Sequence, residues 1–180
     1  MNKYGYGLLV SLMSISGMAF AVAEGTRIDA VKAMIRKGGN WNRIFKAINT
    51  YSINPATFVV DNINGKNVGI LYFVVEQARK YTGAFEDNVN PESSRMEAIK
   101  ALNILAVKYR VFKGGTCGID DCNTLFELAL GSNTWGSDEP IREPSLDVVD
   151  LLLKYGAKGN RKIMAYIKKA RDGTWAEYEG

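Results

Sequence analysis

At 180 residues the chain is long enough for one domain with a real core, and its 47% hydrophobic and 23% charged residues are ordinary for a folded protein. The formal charge of +4 and the pI of about 9.0 are mildly basic, without the dense Lys/Arg clustering of a nucleic-acid binder. Histidine is absent, which removes the commonest general base, metal ligand and near-neutral proton switch together.

Residues 1–23 read as a separate object. Met1-Asn2-Lys3 is a short positive start, residues 4–23 carry no charge, and Leu8-Leu9-Val10, Leu12-Met13, Ile15 and Met18 form an apolar stretch. Ala19-Phe20-Ala21 and Ala21-Val22-Ala23 are overlapping small-x-small patterns. The expectation is a signal peptide cleaved after Ala21 or Ala23, leaving 24–180 as a single domain of charge about +3. Three glycines and three serines make the stretch poor as a permanent membrane span, and no cysteine follows it to carry a lipid anchor.

The remaining chain reads as helices separated by Gly, Asn and Pro. Thr26-Arg27-Ile28-Asp29 has capping-box spacing and opens a helix to about Lys37, stopped at Gly38-Gly39. A shorter helix covers about Trp41–Asn49, with Ile44, Phe45 and Ile48 on one side. Asn54-Pro55 looks like an N-cap and first-turn proline, leading into Ala56–Asn62 as a short helix or a strand-like stretch around Phe58-Val59-Val60. Residues 62–67 form a turn. Val68–Lys80 is apolar almost all round and predicts an interior helix. Asn90-Pro91 opens the longest helix, to about Phe112, with Ile99, Leu102, Leu105, Ala106 and Tyr109 on its buried stripe. Asn123 should cap Thr124–Leu130, Ser145 should cap Leu146–Tyr155, and a last helix covers about Arg161–Arg171. No segment alternates convincingly over a full strand, so the predicted class is all-α.

Cys117 and Cys122 enclose four residues in Gly-Gly-Thr-Cys-Gly-Ile-Asp-Asp-Cys-Asn. In an exported chain a local disulfide closing one loop is the expectation. A redox-active pair usually has two intervening residues, and a zinc site would need two further ligands. Asp120-Asp121 reads as helix capping and dipole compensation rather than a calcium loop.

A phrase recurs. Residues 27–42 and 145–160 align so that Ile28 pairs with Leu146, Val31 with Val149, Met34 with Leu152, Ile35 with Leu153, Gly38 with Gly156 and Asn42 with Asn160. The apolar offsets mark one helical stripe, and a glycine stops each helix at the same place. Leu146-Asp-Val-Val-Asp-Leu-Leu-Leu-Lys-Tyr-Gly156-Ala157-Lys-Gly-Asn160 resembles the second helix and exit turn of an ankyrin repeat. Thr124-Leu125-Phe126-Glu127-Leu128-Ala129 stands where the first helix begins, keeping the Thr and final Ala but lacking the Pro and His of that family's pattern. Gly69-Ile70-Leu71-Tyr72-Phe73-Val74 is an earlier, weaker copy, and 27–42 is a second-helix half-repeat or cap.

The resemblance implies a short solenoid of stacked helix pairs, with Leu152 and Leu153 packed on the preceding unit. The last helix would close the stack with an outer face of Arg161, Lys162, Lys168, Lys169 and Arg171. The copies stand farther apart than a regular unit of about 33 residues. Two loop insertions, Tyr81–Asn90 and Gly131–Glu143, account for the excess, each falling between the two helices of a unit.

No catalytic constellation or Gly-rich phosphate loop stands out, and no cofactor or metal is expected. Glu86, Asp87 and Glu92 lie around the first insertion, and Asp138, Glu139 and Glu143 in the second, against Arg142. Tyr81, Phe85 and Trp135 supply aromatic anchors. Stacking should place both insertions on one acidic edge suited to a basic protein partner: Tyr81, Phe85, Glu86, Asp87, Trp135, Asp138 and Glu139. The functional expectation is a periplasmic or secreted, non-enzymatic binding module, in the manner of an immunity or inhibitor protein neutralising a toxin or hydrolase. The alternatives are an accessory or stress-protection factor for a periplasmic enzyme, or membrane-surface attachment through the basic last helix.

Overall fold

The computed structural model describes residues 25–38, 40–79, 91–131 and 144–174, so the signal-peptide expectation lies outside the described residues. In chain order the elements are α1 (25–37), α2 (Trp41–Thr50), β1 (Asp61–Ile63), β2 (Lys66–Val68), α3 (Ile70–Ala78), α4 (Pro91–Val107), a 3-10 turn (Lys113–Gly115), α5 (Cys122–Ala129), α6 (Leu146–Lys154) and α7 (Arg161–Arg171). The protein is mostly helical.

α1 is already helical at residue 25, so Thr26 lies inside the helix instead of in front of it. Val31 and Ile35 are wholly buried. The helix stops where Gly38 takes φ +63° and its N–H turns back to the Ile35 carbonyl at 3.1 Å. Asn40 restarts the chain, its Oδ1 accepting the Arg43 N–H at 3.1 Å, and α2 buries Trp41, Ile44, Phe45 and Ile48.

The predicted helix start at Asn54-Pro55 is a tight turn. Asn54 Oδ1 accepts the Ala56 N–H at 3.0 Å and its carbonyl accepts the Thr57 N–H at 3.2 Å, after which no helix follows. The next residues form a two-stranded antiparallel ribbon, Asp61 opposite Val68 and Ile63 opposite Lys66. Its connection is Asn64-Gly65, with φ of 50° and 79°, the hairpin turn whose twist matches paired strands. This ribbon is the one departure from the all-α expectation among the described residues. It takes Val68, so α3 begins two residues later than predicted.

α3 is interior, burying Ile70, Leu71, Tyr72, Val74, Val75 and Ala78. Its most extensive packing is on α4, and it also touches α5. That close approach reshapes the predicted stripe of α4. Leu102 and Leu105 are buried as expected, but Ala98 and Ala101 join them, while Ile99, Ala106 and Tyr109 are half-buried. Alanines admit a neighbouring helix where larger residues would hold it off. α4 also ends at Val107, five residues short of Phe112, because Arg110 takes φ 53° and the Val111 N–H returns to the Leu105 carbonyl at 3.3 Å. Val111 and Phe112 are buried in the turn instead.

α5 starts at Cys122 and is capped by Asp121, not by Asn123. The Asn123 Oδ1 instead accepts the backbone N–H of Asn160 at 2.9 Å, tying the first turn of α5 to the start of α7. α6 buries Val148, Val149 and Leu152, with the Ser145 carbonyl accepting its first N–H groups at 3.0 and 3.1 Å. It ends one residue before the predicted Tyr155, which takes the C-cap. α5 touches both α6 and α7, α6 touches α7, and α2 leans on α4. One continuous core runs from Val31 to Ala170.

Two details of the repeat alignment change. Gly38 and Gly156 match in role, with Gly156 at φ +92° donating to the Leu153 carbonyl at 3.0 Å. The restarting asparagines, however, are Asn40 and Asn160, since Asn42 lies within α2. Burial is also out of step. Leu152 is buried and its aligned Met34 half-buried, whereas Ile35 is buried and its aligned Leu153 half-buried.

Candidate functional site

The predicted partner-binding residues Tyr81, Phe85, Glu86, Asp87, Trp135, Asp138 and Glu139 lie outside the described residues. Their roots are described. The first insertion leaves after α3 and returns into α4, and Gln77 Nε2 donates to Ser94 Oγ at 2.6 Å across that gap. The second leaves after α5 and returns into α6, where the Ser145 N–H donates to the Ala129 carbonyl at 2.8 Å. Arg95, near the start of α4, pairs with Asp147 in the first turn of α6. The two roots are therefore adjacent along one edge. Gln77 Oε1 extends that edge to α2 by accepting the Trp41 Nε1–H at 2.7 Å.

Two guanidinium groups lie beneath this edge. Arg79 and Arg95 are each only 8% exposed, Arg79 pairing with Glu76 on its own helix. A buried cation is costly without acidic company, which Glu76 supplies to Arg79 and Asp147 to Arg95. The sequence reading did not single out Gln77 or Arg79. The signal for the two arginines was position: Arg79 follows directly on the buried Ala78 at the end of α3, and Arg95 stands one turn before the buried Ala98.

Charge is partitioned along the chain. The described residues hold 20 of the 23 Lys and Arg but only 11 of the 19 Asp and Glu. The modest overall charge thus combines a strongly basic body with acidic segments. On the body, Arg161, Lys162, Lys168, Lys169 and Arg171 are all exposed on α7, as the sequence predicts.

The Cys117–Cys122 disulfide is formed, with Cα atoms 5.4 Å apart. Of the two aspartates it encloses, Asp121 caps α5, but Asp120 faces away and accepts the Gly69 N–H at 2.7 Å at the start of α3. Burial pushes the Asp120 carboxyl up to about 6, against the pull of the Gly69, Tyr72 and Leu71 N–H groups. Burial likewise raises the Tyr72 phenol to about 12 and raises the Glu127 carboxyl.

Two open grooves flank α2. One, of about 630 Å³, lies against α4 and is floored by Phe45, Ile104 and Val107 between Lys46 and Lys108. The other, of about 660 Å³, lies against α1 and includes Arg27, Met34, Arg43 and Tyr51. Among the described residues no group of three or more Cys, Asp and Glu is placed to hold a metal ion, and no helix is long and apolar enough to cross a membrane. No family model, curated protein or solved structure matches this chain.

Proposed function

We propose that the protein is an exported, non-catalytic binding module built as a degenerate ankyrin-like stack, whose acidic insertion edge grips a basic protein surface in the manner of an immunity or inhibitor protein. The observation that carries this reading is the Arg95–Asp147 pair, which joins the roots of both insertions. Segments that leave a scaffold side by side can act on one partner.

The repeat reading draws support from the order of elements. α3–α4 and α5–α6 are successive packed pairs, each entered by a turn: the β1–β2 ribbon before α3 and the Cys117–Asp120 turn before α5. First helix touches first helix, α3 on α5. The second helices are linked by Arg95–Asp147 and by a hydrogen bond from the Tyr155 hydroxyl to Asn103. A disulfide agrees with an oxidising compartment, periplasmic or extracellular.

The test is a pull-down from an extract of that compartment. Wild type should retain one stoichiometric basic protein. Trp135→Ala combined with charge reversal at Asp138 and Glu139 should lose it, and equal capture by both removes the reading. A second reading, attachment to an anionic surface through α7, rests on its exposed cations and on Met164, which is 43% exposed. Salt-sensitive binding of the variant and wild type alike to anionic vesicles would favour it.

A further inference from the structure

The loop from Cys117 to Cys122 serves two helices far apart in the chain. Cys122 is the first residue of α5, and Asp121 caps that helix, its Oδ1 accepting the Asn123 N–H at 3.1 Å and its Oδ2 the Thr124 hydroxyl at 3.1 Å. Asp120, its neighbour, points the other way. Its carboxylate accepts the N–H of Gly69 at 2.7 Å, 51 residues earlier, and the N–H groups of Leu71 and Tyr72 stand near enough to pull on its charge. They belong to the first turn of α3, where a helix supplies no carbonyl of its own, and its N-cap residue, Gly69, has no side chain to accept from them.

The fit is close on both sides of the loop. A Cβ at Gly69 would stand 2.7 Å from Asp120 Oδ2. A Cβ at Gly118, where φ is +64°, would stand 2.7 Å from the Ala56 carbonyl oxygen. The loop therefore lies directly on the segment leading into α3. Within it, Cys117 and Asp120 pair backbone to backbone, the Asp120 N–H donating to the Cys117 carbonyl at 3.1 Å. The covalent ring closed by the two sulfurs contains Asp120 and fixes the turn that presents it.

We propose that the Cys117–Cys122 disulfide is a redox-sensitive latch: oxidised, it holds Asp120 on the N-terminus of α3, and reduced, it releases that cap and loosens α3 from α5. The reductant is a dithiol. Its thiolate attacks the sulfur of Cys122, the more exposed of the pair at 9% against 1%, and Cys117 leaves as a thiolate and takes up a proton. The second thiol of the reductant then attacks the mixed disulfide, releasing Cys122 as a thiol and the reductant as a cyclic disulfide. Two electrons and two protons end on the two cysteines. The freed loop regains conformations that do not place Asp120 at Gly69, and the N–H groups of α3 lose their acceptor. This inference is independent of what the insertions bind.

Amide hydrogen exchange on the full chain, read residue by residue, tests it. Reduction should speed exchange at Gly69, Leu71 and Tyr72 at least tenfold while Ile163, Tyr166 and Ile167 in α7 keep their protection. Asp120→Ala should give the same pattern in the oxidised protein, and reduction should then add little at those amides. Asp120→Asn, which retains an acceptor, should stay close to oxidised wild type. Asp121→Ala should affect only the first turn of α5. Unchanged exchange at Leu71 and Tyr72 on reduction would reduce the disulfide to a local staple and overturn the proposal. So would a loss of protection throughout the chain at once.

Discussion

The two hairpins that carry the repeated phrase, α1–α2 and α6–α7, stop and restart by the same chemistry but bury different positions. Each first helix ends on a left-handed glycine, Gly38 or Gly156, whose N–H returns three residues back. Each second helix is capped by an asparagine side chain accepting the N–H three residues on, Asn40 for α2 and Asn160 for α7. The links differ: Gly38-Gly39 is short, while Gly156 to Gly159 is longer and buries Ala157. The surroundings differ more. α6 is covered from the side of α5, and α1 has no such preceding helix among the described residues, so the deepest residue shifts by one position. Short-range signals copied faithfully do not copy the packing.

Alanine substitutions at the four aligned positions are the strongest way to break this comparison. Leu152→Ala and Ile35→Ala should each cost about 2–5 kcal/mol in urea unfolding, since both side chains are wholly buried. Their aligned partners, Met34→Ala and Leu153→Ala, should cost about 1 kcal/mol, being half-buried. If cost follows the alignment, so that positions 34 and 152 match, the burial difference between the hairpins is wrong.

The dependence of stability on pH gives the next largest effect and sharpens a contrast between adjacent residues. The folded Asp120 carboxyl, pushed up to about 6, sits above the ordinary value near 4 of an unfolded chain. Its protonated form is therefore the one favoured by folding. The contribution is fully present below about pH 4 and is lost as pH rises through about 6, an effect of about 1–3 kcal/mol. Asp120→Asn should flatten that part of the profile in urea titrations at successive pH values, and Asp121→Asn should leave it. An unaltered profile in Asp120→Asn would assign the titration elsewhere.

The cap substitutions have the smallest expected effect. Asn40→Ala and Asn160→Ala should each cost about 1 kcal/mol. Asn160→Ala should cost the same as Asn40→Ala or slightly less, because the Asn160 backbone remains held by Asn123. Thermal unfolding of the two variants side by side measures the difference, and a far larger loss for Asn160→Ala would make that side chain part of the α5–α7 contact.

Much of this arrangement is written in short stretches. The helix over Arg161–Arg171, the stop at Gly38, the buried face of α2 and the disulfide all depend on spacings of a few residues, and each could be read from them. The ribbon at 61–68 was hidden because its strands are three residues long, too short for alternation to register, although Asn64-Gly65 carried the turn chemistry. The early end of α4 was hidden because Val111 and Phe112 continue the apolar content while the backbone has already turned. For the candidate edge, the sequence identified the two insertions and their acidity. That both would leave along one edge was expected, but that Arg95 and Asp147, 52 residues apart, are the pair joining their roots was not legible.

The chain by itself determined the helical class and where most helices stop, but not the caps: Thr26, Asn54 and Asn123 offer cap chemistry that no helix start uses, while Asp121 caps α5. The class and the stops depend on hydrogen bonds and side-chain spacing within a turn or two. The tertiary structure decided that Asp120 serves α3, that Asn123 serves α7, and that Arg79 and Arg95 are buried under one edge. In each case the side chain's destination is set by which distant backbone packs alongside it, and identical local sequence is compatible with several such destinations.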